Sequence, residues 1–507
     1  MRQKDGRNGV RLRFSIPLAL MAVACSAQAG PLQEAEKELF AARYGNAAKL
    51  YAAALAADPA DSRAYYGLVR SLIGDHRSGE AYAVAAKALQ RNPQTPDTQT
   101  AAGMAAFRSG DIAKAGEYFR AALKLDPDHA GALRGLASVE TAICRFKTAR
   151  DLLLAAWRSS PGDPQLTIAH AETLKGAERV KALQEALATL DPDSQEARGL
   201  RASIANGLAM GGRQPRRLTS PYVGSKIKLF TLSGGGSQAR GVGIRVQFNE
   251  RNTALLLLDS GASGIGVSAQ LAGRARLEKL GNQNTEVRGI GDGRPQSSEA
   301  YLASQVRIGG VEFADYPIAV FGAARSELYD GLIGADVFAG FLATIDFPKL
   351  EISLEPRPGG PPPASAEPVD AASEPSPGFH RAFRFGHHLA VPASVNGGRP
   401  TLFVIDTGST ETLIDAATAR EFKAMLSDGP VVRGFQGAVN RPLRALPLSL
   451  AFAGFRQDSP SLSATDLEKL SDAEGIALGG LLGMPSIGQL ALTLDYREGT
   501  VRFERRK

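Results

Sequence analysis

A tripeptide that occurs twice constrains this chain more than any other feature. Asp259-Ser260-Gly261 follows a run of four leucines, and Asp406-Thr407-Gly408 follows the apolar run Leu402–Ile405. One such tripeptide would mean little, because ordinary residue frequencies produce roughly 0.1 to 0.3 of them by chance in a chain of this size. Two copies in the same apolar setting point to one site built from two carboxylates.

Two further landmarks follow each tripeptide in the same order. The first is a glycine-rich segment that begins at Arg288-Gly289 in one copy and at Arg433-Gly434 in the other. The second is an apolar-apolar-glycine segment with an aspartate behind it, as in Leu332-Ile333-Gly334 with Asp346 and Leu481-Leu482-Gly483 with Asp495. We count the tripeptide as the first landmark, the glycine-rich segment as the second and the apolar-apolar-glycine segment as the third. The copies are 147 residues apart at the first landmark, 145 at the second and 149 at the third. This nearly constant offset indicates an internal duplication.

The length and charge of the chain narrow the possible classes of protein. At 507 residues it is too long for one hydrophobic core, and its 44% apolar and 22% charged residues are typical of globular domains, so we expect two to four of them. The net charge is +7, but residues 1–13 alone contribute +4 of it. A basic surface for nucleic acid is therefore not indicated.

The first 29 residues have the three-part layout of a secretory signal. A basic start is followed by an apolar stretch from Phe14 to Ala24 and by small residues that end at Ala29. We expect removal of residues 1–29 and an exported protein, periplasmic or secreted in a bacterium. Ala22-Val23-Ala24-Cys25 also resembles a bacterial lipoprotein cleavage box, which leaves open a lipid anchor at Cys25. No later stretch predicts a transmembrane helix.

A 34-residue period runs through residues 30–200. Prolines recur in step with it, at Pro59, Pro93, Pro127 and Pro161. Alanine and bulky apolar positions keep the same step, which suits small residues where helices cross and proline where a helix must end. The pattern resembles the tetratricopeptide repeat, which has two antiparallel helices per unit. It implies about five repeats and a capping helix over 194–210.

The resemblance leaves the role of this helical array open. Such arrays present a concave surface that binds peptides or partner proteins, and the alternative is a spacer that positions the rest of the chain. Trp157, Tyr65 and Tyr66 are candidates for lining the groove, but aromatic residues at these spacings also fit a core. Cys144 is expected to be a small apolar core residue without a disulfide partner.

The second half of the chain has a different periodicity. After a connector at 201–224, apolar and polar residues alternate in short runs separated by glycine-rich turns, which predicts β-strands. We predict one lobe over 225–356 and a second lobe over 380–507. Residues 357–379, between the lobes, are rich in Pro, Ala, Ser and Glu and are predicted to form an extended, poorly structured linker.

This duplicated half resembles aspartic proteases of the retropepsin and pepsin type. In that family Asp-Thr/Ser-Gly lies in a turn after a buried strand, a glycine-bearing hairpin forms a flap, and an apolar-apolar-glycine segment comes later in each lobe. The resemblance implies a multidomain fold, an N-terminal all-α tetratricopeptide solenoid followed by an all-β, two-lobed double barrel of the aspartic protease type. It also implies that Asp259 and Asp406 are the catalytic pair.

The chemistry of paired carboxylates explains why the motif must occur twice. Two carboxylates held close together cannot both ionise easily, so they share one proton at the working pH. The ionised aspartate takes a proton from a bridging water as that water attacks the peptide carbonyl, and the protonated partner hydrogen-bonds the developing oxyanion. This mechanism requires no metal, no cofactor and no covalent intermediate.

The other residues of the two turns are expected to support the carboxylates. Gly261 and Gly408 let the backbone turn closely around them, and the resemblance implies hydrogen bonds of the Ser260 and Thr407 hydroxyls across an approximate twofold axis. Two further serines are candidates for hydrogen bonds to the carboxylates, with turn formation as the simpler interpretation. These are Ser263 and Ser409.

The glycine-rich segments are the candidate flaps, because glycine permits a hairpin that closes over an extended peptide. The candidate flap residues are Gly289, Ile290 and Gly291 in the first copy and Gly434, Phe435 and Gly437 in the second. Neither segment has the tyrosine that is common on pepsin-like flaps. This departure puts the clamping of substrate and the catalytic efficiency in doubt and favours a more symmetric, retropepsin-like closure.

The adjacent pair His387-His388 is a weak candidate for a metal site. Neighbouring side chains of a strand point to opposite faces, and no cysteine or carboxylate cluster joins the two histidines in the sequence. We therefore predict no metal site.

The sequence thus predicts an exported aspartic endopeptidase whose helical array recruits or orients a peptide or protein substrate. An alternative keeps the protease fold as a weakly active or inactive peptide-binding scaffold of the cell envelope. A further possibility leaves the two lobes apart, each paired with a lobe of a second chain, which the linker is long enough to allow.

Overall fold

The structure is a computed structural model of one chain. It describes residues 30–233, 239–250, 252–287, 296–322, 328–357, 360, 370–372, 374–429, 433–434, 437–438, 443–446, 448–459 and 461–506. The proposed signal segment and Cys25 lie outside these residues, so their assignment stays a prediction. Within the described part of the chain, no helix is long and apolar enough to cross a membrane.

The N-terminal part is an array of antiparallel helix pairs followed by one more helix. Its helices are α1 Pro31–Phe40, α2 Tyr44–Ala57, α3 Ser62–Gly74, α4 Ser78–Arg91, α5 Pro96–Arg108, α6 Ile112–Leu125, α7 Ala130–Ala142, α8 Phe146–Ser159, α9 Pro164–Ala171, α10 Gly176–Leu187 and α11 Gln195–Ala209. Each periodic proline comes two residues after the second helix of a pair, as Pro59 does after Ala57. The predicted helical period is confirmed.

The repeated small and bulky residues form the contacts between these helices. Ala47, Ala81, Ala115 and Ala149 are at most 3% exposed, which lets the helix backbones approach each other. The ring of Phe119 fills the space that two glycines of neighbouring helices leave open, and a Cβ atom at either glycine would collide with it. Tyr51 fills the space at Gly67 in the same way, so large rings matched to glycines join these helices.

The helical part extends beyond the boundary that the sequence predicts at residue 200. Helix α11 runs to Ala209 because Leu200, Ala202 and Ile204 are buried on its inner face. Ser194 caps it, since its Oγ accepts a hydrogen bond from Ala197 N at 3.1 Å. Residues 201–209 are thus helix rather than connector, as the capping helix over 194–210 requires.

The strand-rich part contains the two predicted lobes. The first lobe contains β1 Arg217–Leu218, β2 Ser225–Ser233, β3 Ala239–Phe248, β4 Asn252–Leu258, β5 Ile265–Ser268, α12 Ala269–Arg274, β6 Glu278–Val287, β7 Gln296–Ile308, β8 Val311–Phe321, β9 Gly331–Ile333, a 3-10 turn Ala335–Phe338, β10 Leu342–Asp346 and β11 Glu351–Glu355. The second lobe contains β12 His380–Arg381, β13 Phe383–Phe385, β14 His388–Val395, β15 Pro400–Ile405, β16 Leu413–Asp415, α13 Ala416–Glu421, β17 Met425–Asp428, β18 Arg433–Gly434, β19 Gly437–Ala438, β20 Leu443–Leu446, β21 Leu448–Phe452, β22 Phe455–Ser459, β23 Leu462–Thr465, α14 Glu468–Glu474, β24 Gly480–Leu482, α15 Met484–Ile487, β25 Leu490–Asp495 and β26 Thr500–Arg505.

The two lobes repeat one arrangement of strands around the duplicated motifs. In the first lobe β9 pairs in parallel with β4 and antiparallel with β5. In the second lobe β24 pairs in parallel with β15 and antiparallel with β16. The apolar-apolar-glycine segment therefore lies beside the strand that ends in the aspartate, in both copies.

A sheet to which both lobes contribute joins them within one chain. Its strand order is β12-β26-β25-β10-β11-β2. Thr344 of β10 pairs directly with Thr493 of β25, its equivalent 149 residues later, and their Oγ1 atoms are 3.0 Å apart. Equivalent residues that face each other place a local twofold axis between them. The two lobes therefore pair with each other within the chain.

Reciprocal ion pairs cross from each lobe to the other beside this axis. Asp346 of the first lobe binds Arg506, which follows the second lobe, at 2.8 Å from Nε to Oδ2. Asp495, the equivalent aspartate of the second lobe, binds Arg357, which follows the first lobe. The two arginines are again 149 residues apart. Asp346 and Asp495 thus each bind an arginine in the chain segment that follows the last strand of the other lobe.

The predicted linker is partly bound to the array. Among the described residues of 357–379, Asp370 accepts hydrogen bonds from the backbone N and the Oγ1 of Thr148 at 3.0 and 2.7 Å. It thereby caps the first turn of α8, which has no side-chain cap of its own. Ala371 N donates to the carbonyl of Cys144 at 3.1 Å. Asp370 and Ala371 thus bind groups at a helix end that would otherwise be unsatisfied, and the extended, poorly structured linker stays a prediction for the rest of the segment.

The array packs directly on the second lobe and shares a hydrophobic core with it. The buried residues of this shared core are Ile112, Ala115, Phe119, Leu136, Val139 and Ala142 from the array and Phe385, Ala390, Leu402, Val404, Leu413, Leu467, Ile476, Leu478 and Leu481 from the lobe. At its edge the Arg108 guanidinium donates to Ser471 O at 2.6 Å and pairs with Asp472 of α14. Cys144 is fully buried at the same interface, against Tyr496 and Gly499. The array therefore contributes to the hydrophobic core of the second lobe.

We expect the reciprocal ion pairs to stabilise the joined lobes. Arg506→Gln removes the nearer of the two cations that pair with Asp346, whose side chain is 8% exposed, and leaves only Lys349, 3.7 Å from Oδ2. Because Arg506 itself is 33% exposed, the free energy of unfolding should fall by about 1–2 kcal/mol. Denaturant unfolding measures this change. Arg456→Gln, which breaks an ion pair whose two side chains are both 70% exposed, is the matched control and should not change stability measurably. Equal effects of the two substitutions would contradict this role.

The shared core also predicts that the array and the lobes unfold together. Trp157 in α8 is the only tryptophan, so its fluorescence reports the array, whereas far-ultraviolet circular dichroism reports the whole chain. The two signals should change in one transition with one midpoint, and Arg108→Ala should move both to lower denaturant. An array that unfolds first, with a biphasic dichroism curve in the wild type, would show that the contact with the second lobe contributes little.

Candidate active site

The two aspartates of the duplicated motif lie in turns that each lobe holds in the same way. Asp259 follows β4, and its backbone N donates to Ile333 O at 2.9 Å. Asp406 follows β15, and its backbone N donates to Leu482 O at 3.0 Å. In each copy the apolar-apolar-glycine segment therefore holds the aspartate through a backbone hydrogen bond. Apolar strands on both sides exclude water from this point of the fold and fix the start of each turn.

Crossed hydrogen bonds join the two turns. Ser260 N donates to Thr407 Oγ1 at 3.0 Å, and Thr407 N donates to Ser260 Oγ at 3.0 Å. The hydroxyls in turn donate across the axis, from Ser260 Oγ to Ile405 O at 2.7 Å and from Thr407 Oγ1 to Leu258 O at 2.9 Å. Both side chains are buried, at 3% and 0% exposed. Each hydroxyl thus serves as acceptor and donor at once, and the two lobes meet in one fixed register.

Backbone amides orient the carboxylates inside the turns. Asp259 Oδ1 accepts from Gly261 N at 2.9 Å. Asp406 Oδ1 accepts from Gly408 N at 3.0 Å and from Ser409 N at 3.1 Å. One oxygen of each carboxylate is therefore held by backbone, which leaves the second oxygen of each for the partner carboxylate or a bound molecule.

Each carboxylate packs against the glycine of the opposite lobe. A Cβ atom at Gly261 would lie 3.1 Å from Asp406 Oδ1, and a Cβ atom at Gly408 would collide with the carboxyl group of Asp259. The Asp259 carboxyl group leaves no room for a side chain at Gly408, whereas a side chain at Gly261 would require the neighbouring carboxylates to shift by a few tenths of an ångström. The two acids therefore meet at the seam between the lobes.

The electrostatics of the pair follow from burial and mutual repulsion. Burial raises the pKa of Asp259, and the neighbouring Asp406 charge raises it further. Burial likewise raises the pKa of Asp406. Two like charges in one enclosed site cannot both form easily, so the pair retains one proton at a pH where isolated aspartates would both be ionised.

The remaining serines of the turns have other partners. Ser409 Oγ donates to Glu411 O at 2.7 Å, and only the backbone N of Ser409 reaches Asp406. Ser263 Oγ contacts Asp336 Oδ2 at 3.4 Å, while Asp336 Oδ1 accepts from Gly264 N at 2.8 Å. The hydroxyls thus brace the turns, which is the simpler interpretation. Sequence reasoning missed Asp336, although its place two residues after Gly334, at the start of a 3-10 turn, favours such a capping role.

The structure describes the stems of both candidate flaps. In the first lobe β6 and β7 pair antiparallel as far as Val287 and Gln296, and Gly289, Ile290 and Gly291 lie outside the described residues. In the second lobe β18 and β19 pair Gly434 with Gly437, and Phe435 lies outside the described residues. Paired strands flank both candidate segments, and the role of these segments as flaps stays a prediction.

The two adjacent histidines converge, contrary to the expectation that their rings point apart. Phe385 pairs with His388, so Gly386 and His387 form a two-residue hairpin turn, with Gly386 at a φ of 55°. Because His387 is in the turn rather than in a strand, the ring centroids are 3.8 Å apart. Both rings face the active-site turn of the first lobe. The glycine before the pair is the sequence signal that could have indicated this.

The part of the chain that the structure describes contains no group of three or more His, Cys, Asp or Glu residues placed to hold a metal ion.

The aromatic candidates of the array are mostly packed inside it. Tyr65 is 2% exposed, Tyr66 meets the ring of His129 edge-on, and Trp157 stacks on His170 at 4.8 Å. Arg70 of α3 also binds Asp163 at 2.6 Å, which bridges distant repeats of the array.

Known families match both parts of the chain. The model described as aspartyl protease matches residues 244–337 and 391–486, one segment in each lobe, and the model described as tetratricopeptide repeat matches residues 106–173. The chain contains tandem aspartyl protease domains behind tetratricopeptide repeats. The matched protease segments span both aspartate turns and both apolar-apolar-glycine segments, so the duplication and the fold class predicted from the sequence are confirmed.

Solved structures resemble the chain over about a third of its length. They include the crystal structures of MamA, of a thermophilic tetratricopeptide protein of Thermus thermophilus, and of YrrB, a tetratricopeptide protein with an unusual peptide-binding site. Their identities are 18%, 22% and 18%, they cover 31%, 35% and 34% of this chain and 93%, 97% and 90% of their own, and their TM-scores are 0.21, 0.26 and 0.21. With TM-scores this low, the likenesses support no argument about function. No curated protein matches the chain.

The crossed hydrogen bonds predict a large and specific effect of one substitution. Thr407→Val keeps the shape of the side chain but leaves Ser260 N and Leu258 O buried without their partner, which should lower the free energy of unfolding by about 2–5 kcal/mol. Thr407→Ser keeps the hydroxyl and should lose less than about 1.5 kcal/mol. Denaturant unfolding of both variants measures the difference. Similar losses would show that packing, rather than the hydrogen bonds, joins the turns.

Proposed function

We propose that this protein is an exported aspartic endopeptidase that hydrolyses peptide bonds with a water activated between Asp259 and Asp406. The observation that carries the proposal is the meeting of two carboxylates on one axis, Asp406 buried and Asp259 half-buried, each oriented by backbone amides and packed against the glycine of the other lobe. A purely structural role for these turns would need neither acid, since the crossed hydrogen bonds run through the neighbouring serine and threonine.

The proposed reaction needs one proton on the pair. The ionised aspartate accepts a proton from a water held between the two carboxylates, and the resulting nucleophile attacks the carbonyl carbon of the scissile peptide bond. The protonated aspartate donates a hydrogen bond to the carbonyl oxygen as negative charge develops on it. Collapse of the tetrahedral intermediate breaks the C–N bond, and the leaving amine takes up the proton. The carboxylates then return to their shared-proton state.

Burial and charge support the required protonation state. Burial, together with the mutual repulsion of two negative charges, raises the pKa of Asp259, and burial raises the pKa of Asp406. The pair therefore keeps its acid at a higher pH than free aspartate would. The roles of acid and base belong to the pair, and we assign neither residue to one of them.

Recruitment of a peptide or protein by the array, and export with or without a lipid anchor at Cys25, remain parts of the proposal. The family of the array supports an interaction with proteins, and the layout of residues 1–29 supports export. An inactive peptide-binding scaffold is the alternative. The presence of both aspartates in intact, equivalent turns favours the enzyme.

Substitution of either acid tests the proposal. Asp259→Asn and Asp406→Asn should each lower kcat/KM for a cleaved peptide at least about 100-fold, because each removes one half of the acid and base pair. Asp458→Asn, in an exposed ion pair of the second lobe, is the matched control and should leave kcat/KM unchanged. Full activity in either single active-site variant would exclude the shared site.

The pH dependence of cleavage follows from the direction of the pKa shifts. Activity requires the pair with one proton, so kcat/KM should fall both when the pair gains a second proton and when it loses the last one. Since the pKa values of both acids are raised, the alkaline fall should lie well above pH 4, the approximate pKa of a free aspartate. A profile of kcat/KM against pH whose alkaline limb lies near pH 4 would contradict this.

A further inference from the structure

The histidine hairpin of the second lobe touches the active-site turn of the first. His388 Nε2 lies 3.0 Å from the carbonyl oxygen of Gly261, and His387 Nε2 lies 3.1 Å from the same oxygen. A carbonyl oxygen only accepts hydrogen bonds, so both rings carry a proton on Nε2. Gly261 is the residue whose backbone N holds Asp259. The histidine hairpin therefore contacts the first lobe at the carbonyl of Gly261, the residue whose backbone N–H orients the Asp259 carboxylate.

The second nitrogen of His388 faces a carboxylate. Nδ1 lies 3.0 Å from Glu474 Oε2, and the side chains of His388 and Glu474 are 8% and 16% exposed. If the ring were neutral with its proton on Nε2, the lone pair of Nδ1 would point toward a negative oxygen in an enclosed place, which is unfavourable. An imidazolium at His388 removes this repulsion by forming an ion pair with the Glu474 carboxylate, although Nδ1 makes no hydrogen bond of good geometry.

His387 provides an internal comparison. It contacts the same carbonyl, but none of the described carboxylates forms an ion pair with it. Burial lowers the pKa of His387, and the neighbouring His388 lowers it further. Burial would also lower the pKa of His388, but contacts with Glu474 and with the Gly261 carbonyl raise it above the ordinary value for histidine. The two rings of the hairpin thus differ in charge because only His388 is paired with a carboxylate.

The charged surroundings of His388 come from both lobes. They are His387 from the same hairpin, Glu474 from α14, Asp406 from the turn after β15, Asp259 from the first lobe, and Asp336, which acts on the neighbouring His387. A positive charge at His388 lowers the pKa values of Asp259 and Asp406 and so opposes the effect of their burial. The cation is therefore placed to keep one of the two acids ionised.

We infer that His388, paired as an imidazolium with Glu474, is a positioning residue that fixes the Asp259 turn and sets the protonation of the two active-site acids. This inference rests on the proposed protease function. His388 acts through the Gly261 peptide and through its charge, and it takes no part in bond breaking itself.

The array supports both members of this pair. Phe385, at the start of the histidine hairpin, lies in the core that the array shares with the second lobe, and its ring meets that of Phe107 at 6.4 Å. Helix α14, which ends at Glu474, is held by Arg108 through Ser471 O and Asp472. Both the histidine hairpin and α14 therefore rest on helices of the array. The same helices that fold against the lobe keep the imidazolium and its carboxylate in place.

The first test compares two glutamine variants with a quenched fluorescent peptide that the wild-type protein cleaves. His388→Gln keeps an N–H donor for the Gly261 carbonyl but removes the positive charge, so the acidic limb of the kcat/KM profile should move up by about one pH unit. His387→Gln removes the neutral neighbour and should leave the profile in place. A role limited to packing would change the amount of active protein without moving either limb.

The second test needs no variant that changes the active site. Nuclear magnetic resonance of the histidine rings in the wild type should show His388 titrating above about pH 6.5, the ordinary histidine value. Glu474→Gln removes the paired carboxylate and should bring the His388 pKa below that value. A wild-type His388 that is neutral at pH 6.5 would overturn the inference even if His388→Gln fails to fold.

These outcomes separate the inference from the function on which it rests. Absence of cleavage by the wild type, or full activity in Asp259→Asn, would end the proposed function and the positioning role with it. Cleavage that depends on both aspartates, with pH profiles of His388→Gln and wild type that superimpose, would leave the protease proposal standing and refute the role of His388.

Discussion

The exchange of hydrogen bonds between Ser260 and Thr407 is the interaction on which the rest of this structure depends. Each residue offers a backbone N–H and a hydroxyl to the other lobe, and each is buried so that water cannot replace its partner. An unpaired buried donor is costly, so the turns are stable only when they meet. Once the turns meet, the carboxylates of Asp259 and Asp406, one residue before Ser260 and Thr407, are brought together despite their electrostatic repulsion.

Other parts of the molecule hold the lobes in the position that this exchange requires. The shared sheet pairs Thr344 with Thr493 on the local axis, and the ion pairs of Asp346 and Asp495 tie each lobe to the segment that follows the other. All three use residues of the duplicated pattern. The repulsion between the two acids is therefore balanced by contacts distributed along the whole seam.

The array extends this support to the second lobe. Its helices share a core with the sheet that carries Asp406, and Arg108 fixes the helix that ends at Glu474. The array thus contributes to the fold of the lobe, and a role in recruiting substrate would come in addition. Bridges such as Arg70 to Asp163 also join distant repeats, which the repeat period alone does not predict because it describes only contacts between neighbouring units.

Much of the fold could be predicted because it depends on local, periodic signals. Proline at the helix ends, alanine at the crossings and the doubled aspartate turn each have a direct physical meaning in the sequence. The sequence could not indicate which side chains meet across the lobes, such as Asp346 with Arg506, since such contacts depend on the final arrangement of distant segments. It misled at His387, where a hairpin turn replaced the expected strand, and it gave no sign that Asp370 of the linker binds the start of α8.

The most direct test of the account is the titration of the Asp259 carboxyl, followed by carbon-13 nuclear magnetic resonance in the wild type and in Asp406→Asn. If the two acids share one proton, Asp259 should titrate well above the ordinary aspartate range in the wild type, and loss of the neighbouring charge should lower its pKa. An Asp259 that titrates identically in both proteins would show that the two carboxyl groups do not interact, and the shared site would be refuted.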